Sequence, residues 1–286
     1  MEEPRYCYRH PDRETGLSCS ECGRPICYEC MTPAPVGLRC PEHSGQPQGL
    51  QRVTRPVQRA ARPQALGGIS VTMVLIGLNV AVYFAELALG GTTNGQGNWI
   101  YEQGALFASG ISSSGHLIGV AHGDWWRLVT AAFLHYGPIH LGLNMLALYF
   151  GGTALEQVIG RWRFALIYFA SGVAGSAGAL LLTPNSPTVG ASGAIFGVFG
   201  ALLALERMRV IHSGGQILAL IVVNLVFTFA VPGISIGGHL GGLICGFVLM
   251  WAMTHVARST ELSVLAAAAA IAASFVVAYA KVRGYS

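Results

Sequence analysis

The chain has 286 residues, of which 52% are hydrophobic and only 10% are charged. Soluble domains carry about a quarter charged residues, so this composition excludes an ordinary soluble domain and favours a membrane protein. The net charge of +4 is modest, and no aromatic residues are interleaved among the arginines, which argues against nucleic-acid binding. Seven of the 13 acidic and nine of the 17 basic residues precede residue 63, which indicates a polar head followed by a membrane body.

The head, residues 1–43, contains six of the seven cysteines. It holds four two-residue-spaced pairs of metal-binding side chains: Cys7/His10, Cys19/Cys22, Cys27/Cys30 and Cys40/His43. Each pair has the spacing of a zinc knuckle, and eight ligands suffice for two closed, structural zinc sites. Disulfides are the alternative, but a reducing cytoplasmic location and two histidines at matching offsets favour zinc. Because the head is too short for a hydrophobic core, metal binding is expected to supply most of its folding energy.

After residue 66, seven apolar runs are long enough for helices that cross ~30 Å of hydrocarbon, which takes about 20 residues. We predict spans near 69–89, 139–156, 164–182, 190–206, 216–232, 236–254 and 262–280. The fourth and sixth spans are short and rich in glycine. The fold class predicted from these runs is an all-α polytopic membrane protein with a small zinc-stabilised N-terminal domain.

Basic residues predict the orientation of the chain. Residues 44–66 are rich in Pro, Gln and Arg and have no apolar period, which predicts an extended linker. The linker arginines are placed to lie on anionic lipid headgroups: Arg52, Arg55, Arg59 and Arg62. With seven spans, most other arginines fall on the same side as the linker, so the positive-inside rule predicts a cytoplasmic N-terminus. Sixteen arginines against one lysine indicate a bacterial genome, and hence a bacterial plasma membrane.

Ser192 stands in the sequence Gly-Ala-Ser-Gly-Ala at the start of the fourth predicted span, behind a loop with Pro184 and Pro187. A lone intramembrane serine usually packs helices and bonds to the carbonyl four residues earlier. Here the small neighbours permit close approach, and a helix N-terminus presents free N–H groups that suit a developing oxyanion. Ser192 is therefore a candidate nucleophile.

His239 opens the sixth span in the sequence Gly-Gly-His-Leu-Gly-Gly. Since the fourth span leads inward and the fifth leads back, Ser192 and His239 both belong near the outer face. Glycines on the two spans permit packing of backbone against backbone: Gly193, Gly197, Gly237, Gly238, Gly241, Gly242 and Gly246. Such packing would bring a neutral imidazole within hydrogen-bond reach of the serine and activate it.

His140 and Asn144 are spaced i, i+4, so they share one face of the second span near its outer end. Both side chains donate hydrogen bonds, and with the Ser192 N–H they predict an oxyanion hole. Taken singly, each is more often a structural hydrogen bonder. None of the acids after residue 50 is placed to complete a triad, so a Ser–His dyad is predicted: Glu86, Glu102, Asp124, Glu156, Glu206 and Glu261.

These residues carry a resemblance to rhomboid proteases over about residues 69–255. The matching pieces, in chain order, are Trp126-Arg127, His135-x4-His140-x3-Asn144, Gly190-x-Ser192-Gly193 and Gly238-His239-Leu240-Gly241-Gly242. The resemblance implies a six-helix core in residues 67–255 and a seventh helix with tail in 256–286. It also implies an intramembrane serine endopeptidase that cleaves single-span membrane proteins near the outer face, with no cofactor for catalysis.

The resemblance further implies individual roles. Ser192 and His239 form the dyad, with Gly190 and Gly193 supporting the site and His140 and Asn144 at the oxyanion hole. Phe196, one turn after the serine, stacks on His239, and Glu156 is a structural acid. Without an acid partner, the tautomer of His239 is expected to be set by packing against Phe196.

The head resembles a B-box-type zinc finger, in which the first and third pairs share one zinc and the second and fourth share the other. This resemblance implies two ligand sets: Cys7, His10, Cys27 and Cys30, and Cys19, Cys22, Cys40 and His43. The cysteine-rich middle departs from the usual B-box spacing, so the pairing rests on the resemblance. We expect such a head to recruit a cytoplasmic protein partner or to regulate access to the body.

Three other classes of function compete with this interpretation. A catalytically inactive relative acting as a membrane scaffold or chaperone would lack the serine or the histidine, and this chain has both. A transporter would show hydropathy repeats with helices broken at the midplane, whereas the polar residues here cluster at the outer end. An intramembrane metalloprotease would need HExxH in a span, which the sequence lacks.

Overall fold

The structure, a computed structural model, describes residues 4–34, 37–44, 70–92 and 97–285. The chain divides into two compact units: Met1–Gly67, which contains the head, and Gly68–Ser286, which we call the body. The predicted linker, with its four arginines, lies outside the described residues apart from Ser44. The seventh helix belongs to the body.

The head is built from two small hairpins and one helical turn. Strand β1 (Tyr6–Cys7) pairs antiparallel with β2 (His10–Glu14), β3 (Thr32–Pro33) pairs with β4 (Leu38–Arg39), and α1 (Pro41–Ser44) follows. The buried hydrophobic cluster of the described head consists of five cysteines with Ile26 and Met31. Two apolar side chains cannot offset the entropy of ordering so many residues, so the apolar cluster alone does not account for the fold of the head.

Helices account for most of the body. In chain order they are α2 (Val71–Ala88), α3 (Trp99–Gly104), α4 (Arg127–Thr130), α5 (Pro138–Ala147), α6 (Thr153–Ile159), α7 (Arg161–Leu182), α8 (Ser192–Arg207), α9 (Gln216–Ala230), α10 (Ile236–His255) and α11 (Thr260–Val282). A π-helical turn, Leu148–Gly152, joins α5 to α6, so that these two helices form the second predicted span. Each of the other six predicted spans corresponds to one helix.

Within the described part of the chain, four helices are long and apolar enough to cross a bilayer, namely α2, α7, α10 and α11. Helix α9 is apolar but shorter. Helix α8 has 16 residues, or about 24 Å at 1.5 Å per residue, and eleven of them are buried. A short helix enclosed by protein need not itself match the thickness of the hydrocarbon. The body is therefore a mostly helical multi-pass membrane domain, as predicted.

The segment between α3 and α5 contains structure that the all-α prediction missed. Hairpin strands and 3₁₀ turns occur here: β5 (Gly110–Ile111), β6 (Leu117–Ile118), Val120–His122 and Ala131–Phe133. Pairs of strands only two residues long leave no run of alternating hydrophobicity, so the sequence pattern could not reveal them.

Arg127 holds this segment together from inside. Its side chain is fully buried, and its Nε and Nη2 both lie 2.9 Å from Oδ2 of Asp124. Its Nη1 donates to the carbonyls of Glu102 at 2.7 Å and Ala105 at 2.8 Å. A buried guanidinium is tolerated only when a carboxylate neutralises it and acceptors surround it. The hydrogen bonds from Nη1 therefore tie the end of α3 to the start of α4, and the ion pair neutralises the charge that makes them.

The start of α2 is fixed by Glu156 of α6, whose side chain is 1% exposed. Its carboxylate accepts hydrogen bonds from the backbone N–H groups of Val71 and Thr72, both at 2.9 Å. The hydroxyls of Ser70, at 2.8 Å, and Thr72, at 2.6 Å, also donate to it. A carboxylate at a helix N-terminus satisfies free N–H groups and interacts favourably with the helix dipole. The structural role implied for Glu156 thus has a physical basis.

Helices α8 and α10 meet backbone against backbone. A Cβ atom added to Gly242 would lie 1.9 Å from the carbonyl oxygen of Gly193, and one added to Gly246 would lie 1.9 Å from that of Gly197. On α7, a Cβ at Gly178 would lie 2.2 Å from a carbonyl oxygen of α10. Because these atoms belong to the main chain, no rotamer change can relieve such a clash. Only glycine permits this approach.

We therefore predict that Gly246→Ala destabilises the body by about 1–3 kcal/mol, since the added methyl must push α8 and α10 apart. Gly77→Ala is the matched control, because a Cβ at this position of α2 has nothing within 4 Å. That substitution should be neutral or stabilising by about 0.5–1 kcal/mol, the usual helical preference for alanine. Unfolding of both purified variants in detergent measures the difference. Equal stability of Gly246→Ala and wild type would contradict the close packing.

Candidate active site and metal-binding clusters

Ser192 and His239 lie at hydrogen-bond distance. Ser192 is the first residue of α8, and His239 lies in the first turn of α10. The Nε2 atom of His239 is 2.8 Å from Oγ of Ser192. The backbone contact between Gly193 and Gly242 holds the two helix starts together at this point. The arrangement has the geometry in which a neutral imidazole accepts the proton of a serine hydroxyl.

Phe196 packs flat on the imidazole. The ring centroids of Phe196 and His239 are 4.1 Å apart and the ring planes differ by 13°. The phenyl ring is one helical turn beyond Ser192, so the same helix carries the hydroxyl and the ring that confines its partner. This stacking fixes the plane of the imidazole but leaves open which ring nitrogen carries the proton.

Thr228 of α9 contacts the other edge of the imidazole and was missed by the sequence analysis. Its Oγ1 lies 2.7 Å from Nδ1 of His239, and its side chain is 2% exposed. The expectation that packing alone sets the tautomer is therefore incomplete. The available signal was a threonine inside an apolar span, four residues after Asn224, but such threonines commonly bond only to their own helix.

His140 presents a hydrogen-bond donor beside the serine. The backbone N–H of Tyr136 donates to Nδ1 of His140 at 3.2 Å, so Nδ1 is an acceptor and the proton of a neutral ring resides on Nε2. A Cβ atom added to Gly190 would lie 3.0 Å from this Nε2 and 3.8 Å from Oγ of Ser192. The same Cβ would lie 2.7 Å from Cε1 of His140, so the backbone of Gly190 approaches this ring closely and leaves no room for a side chain between the hydroxyl and the donor.

Gly190 is held in place by its own backbone. Its φ of +127° is a conformation that residues with side chains rarely adopt, and its N–H donates to the carbonyl of Ala131 at 2.9 Å. Asn144 stands one turn beyond His140, and one N–H of its amide donates to the His140 carbonyl at 2.8 Å. The buried ring of His135 lies 5.1 Å from that of His140, measured between centroids.

No carboxylate hydrogen-bonds to His239 among the described residues. Asp124 is engaged by Arg127, and Glu156 caps α2. The His140 ring is neutral because its Nδ1 accepts a hydrogen bond, and the hydroxyls and the amide carry no charge. The site can therefore activate a hydroxyl and receive a developing negative charge without a carboxylate bonded to its proposed base.

The eight predicted metal ligands of the head form two clusters, in each of which all ligand atoms lie within 4.8 Å of one another. The clusters have the membership that the B-box resemblance implies: Cys7, His10, Cys27 and Cys30, and Cys19, Cys22, Cys40 and His43. Each cluster joins two pairs that are distant in sequence, with ligands up to 24 positions apart. The two-residue spacing within a pair therefore could not show which pairs form one cluster.

The distances within the clusters suit tetrahedral zinc. Zn–S and Zn–N bonds of about 2.3 Å and 2.0 Å separate neighbouring sulfurs by about 3.8 Å and sulfur from nitrogen by about 3.5 Å. In the first cluster Nδ1 of His10 lies 3.3 Å from the sulfurs of Cys27 and Cys30. In the second, the sulfurs of Cys22 and Cys40 are 3.8 Å apart, far beyond a disulfide bond.

Backbone hydrogen bonds favour one thiolate in each cluster, whereas burial raises the pKa of Cys30 to about 12. Although burial raises the pKa of Cys7, backbone hydrogen bonds from Cys27 and Arg9 lower it to about 6. Burial likewise raises the pKa of Cys19, and backbone hydrogen bonds from Cys40 and Cys22 bring it to about 6. Thiolate is the form that binds zinc, so the donor set fits the metal that the spacing predicts.

A multi-pass helical body with a serine and a histidine in contact defines the class of a candidate intramembrane serine hydrolase. Comparison with known proteins identifies its family. A rhomboid domain matches residues 122–256, a range that excludes the head. Putative rhomboid protease YdcA of Bacillus subtilis (strain 168) is 38% identical over 141 residues, 48% of this chain and 71% of that protein. The chain belongs to the rhomboid family.

Two further relatives bear on activity. Rhomboid protease GluP of Bacillus subtilis (strain 168) is 40% identical over 185 residues, which are 63% of this chain. The match spans only 34% of the length of GluP. Inactive RHOMBOID-like protein 8 of Arabidopsis thaliana is 36% identical over 124 residues, 42% of this chain and 35% of that protein. The family therefore includes proteases and an inactive member.

We predict that Gly190→Ala lowers the reactivity of Ser192 by at least about 100-fold, because the methyl group would lie 2.7 Å from Cε1 of His140 and displace this donor, and because alanine disfavours the φ of +127°. Gly142→Ala is the control: Gly142 lies between His140 and Asn144, but a Cβ there has nothing within 4 Å. The rate of labelling by a fluorophosphonate probe measures the effect. Labelling needs an activated serine hydroxyl and hydrogen-bond donors that hold the oxygen of the probe. Equal labelling of Gly190→Ala and Gly142→Ala would contradict a role for the close contact between Gly190 and His140.

Proposed function

We propose that this protein is an intramembrane serine endopeptidase of the rhomboid type. It cleaves transmembrane segments of single-span membrane proteins near the outer face of a bacterial plasma membrane, with its own N-terminus in the cytoplasm. The observation that carries the proposal is the 2.8 Å contact between His239 Nε2 and Ser192 Oγ inside a multi-pass body. The named rhomboid proteases among its relatives support the same activity.

The proposed reaction uses the dyad twice. As Oγ of Ser192 attacks the carbonyl carbon of the scissile bond, Nε2 of His239 accepts the hydroxyl proton. The resulting oxyanion receives hydrogen bonds from Nε2–H of His140, the amide of Asn144 and the backbone N–H of Ser192. His239 then gives its proton to the leaving amine, and the C–N bond breaks. Water hydrolyses the acyl-enzyme in the reverse proton sequence and regenerates the serine.

The substrate must reach a site inside the body. Ser192 and His140 are half-buried rather than fully buried, so part of each residue remains accessible to a peptide. Extended backbone within a membrane is tolerated only where protein or water satisfies its polar groups. The proposed substrates are therefore membrane proteins whose helix unwinds at the site, with a small side chain before the scissile bond.

An inactive scaffold or chaperone is the alternative function, and one relative is named as inactive. The contact between Ser192 and His239 favours an enzyme, because a scaffold needs neither residue. The hydrogen-bond donor of His140 beside Ser192 favours an enzyme for the same reason.

We predict that Ser192→Ala abolishes cleavage of single-span substrates and fluorophosphonate labelling, without unfolding the protein, because only one hydroxyl is removed. His239→Ala should be nearly as inactive, since a serine without its base is a poor nucleophile. His140→Ala and Asn144→Ala should each retain partial activity, lower by ~10²–10³, because other oxyanion donors remain. Cleavage assays of purified variants in detergent provide the test. Undiminished cleavage by folded Ser192→Ala would end the serine-protease proposal.

For the head we propose two structural zinc ions and a role in binding a cytoplasmic protein. The two clusters each offer four protein ligands, which leaves no open position for catalysis. The small buried cluster supports a folding role for the metal, because cysteines make up most of it.

We predict two zinc ions per chain by metal analysis, and one after Cys40→Ala. Cys245→Ala is the control, because Cys245 lies in α10 outside both clusters and should leave two zinc ions bound. Chelation should unfold the head, whereas the body should still cleave in detergent. One zinc ion or none in the wild type, or loss of cleavage on deletion of residues 1–43, would contradict the proposal.

A further inference from the structure

Helix α9 places a single hydroxyl against the proposed base. Of the 15 residues of α9, the buried ones are Ile221 and Thr228. The Thr228 side chain is turned toward α10, where its Oγ1 meets Nδ1 of His239 at 2.7 Å. This contact lies on the ring edge opposite to Ser192, where a serine hydrolase with a triad has its carboxylate.

The hydrogen on the Thr228 hydroxyl can be assigned from its second contact. Oγ1 of Thr228 also lies 2.7 Å from the carbonyl oxygen of Asn224, and this oxygen can only accept a hydrogen bond. If the hydroxyl pointed at His239 instead, two oxygens would face each other at 2.7 Å with no hydrogen between them. The hydroxyl therefore donates to Asn224, and its lone pair accepts the Nδ1–H of His239.

The proton on Nδ1 determines the protonation state of Nε2, the ring nitrogen that faces Ser192. A neutral imidazole carries one proton, so a proton on Nδ1 leaves a lone pair on Nε2. That lone pair faces the Ser192 hydroxyl at 2.8 Å, which is the arrangement that a general base needs. In the opposite tautomer Nε2–H would donate to Ser192, and the ring could not accept the serine proton.

We propose that Thr228 is a positioning residue that holds His239 in the tautomer competent to activate Ser192. The inference rests on the proposed proteolytic function and deepens it. Phe196 fixes the plane of the ring, and Thr228 fixes its protonated edge. The Asn224 carbonyl completes a chain of hydrogen bonds that runs from the backbone of α9 to the nucleophile.

The test compares three variants. Thr228→Val keeps the shape of the side chain and removes the hydroxyl, so kcat should fall about 10- to 100-fold with KM changed less than about twofold. Thr228→Ser restores the hydroxyl and should recover kcat to within about threefold of wild type. Thr254→Val is the matched control, because the Thr254 hydroxyl donates to the carbonyl of Met250 in its own helix at 2.8 Å, away from His239. This substitution should leave kcat unchanged.

A spectroscopic measurement reports which nitrogen of the His239 ring carries the proton. A purely structural role of Thr228 would leave this position unchanged. The ¹⁵N shifts of the His239 ring, assigned by comparison with His239→Ala, should show a proton on Nδ1 in the wild type. The Nε2–H form should increase in Thr228→Val. This measurement on the wild type remains decisive even if Thr228→Val fails to fold, because a proton on Nε2 in the wild type overturns the proposal.

The outcomes separate this inference from the proposed function. Wild-type kcat in Thr228→Val, or failure of Thr228→Ser to recover activity lost in Thr228→Val, overturns the role of Thr228. If Ser192→Ala is inactive in the same assay, the protease proposal survives that result. Absence of both cleavage and fluorophosphonate labelling in the wild type overturns the protease proposal itself.

Discussion

The contact of backbone with backbone between α8 and α10 is the constraint on which the site depends. Gly193 and Gly197 face Gly242 and Gly246 so closely that no Cβ fits at the latter two positions. Ser192 and His239 stand at the starts of these two helices, next to the first of these contacts. Main-chain packing thus fixes the separation of the two backbones that carry the hydroxyl and the imidazole, while Phe196 and Thr228 hold the ring itself.

The remainder of the body supports this contact from outside. Glu156 fixes the start of α2, and Arg127 ties the segment between α3 and α5 into a folded unit. The end of that segment reaches the site, because the carbonyl of Ala131 holds the N–H of Gly190. Buried charges are therefore used around the site as ties between elements, while the groups at the site are neutral.

The helical spans and most candidate residues of the site could be predicted from the sequence because their signals are local. A run of apolar residues predicts a span, and a serine or histidine beside glycines in such a run is costly enough to suggest a function. The cysteine and histidine pairs of the head could also be predicted, because the two members of each pair are close in sequence. Their grouping into two clusters is a property of the folded chain, and only a resemblance could suggest it.

Thr228 shows where local reasoning ends. A threonine in an apolar helix has the same pattern whether it bonds only to its own helix or also to a neighbour, as the comparison with Thr254 makes plain. The hairpin of β5 and β6 and the π-helical turn are similarly invisible, because both are too short to produce a period. What the sequence could not predict was in each case a relation between distant residues or a departure of a few residues from regularity.

The neutral chain from Asn224 through Thr228 and His239 to Ser192 has a consequence for biogenesis. A carboxylate at the middle of a helix opposes insertion into the bilayer by about 2.5–3.5 kcal/mol, whereas a threonine bonded to its own helix carries no charge into the hydrocarbon. Helix α9 contains no acidic or basic residue at all. Helix α9 can therefore insert into the bilayer because it is apolar. The Thr228 hydroxyl, which contacts His239, needs no counter-ion during insertion.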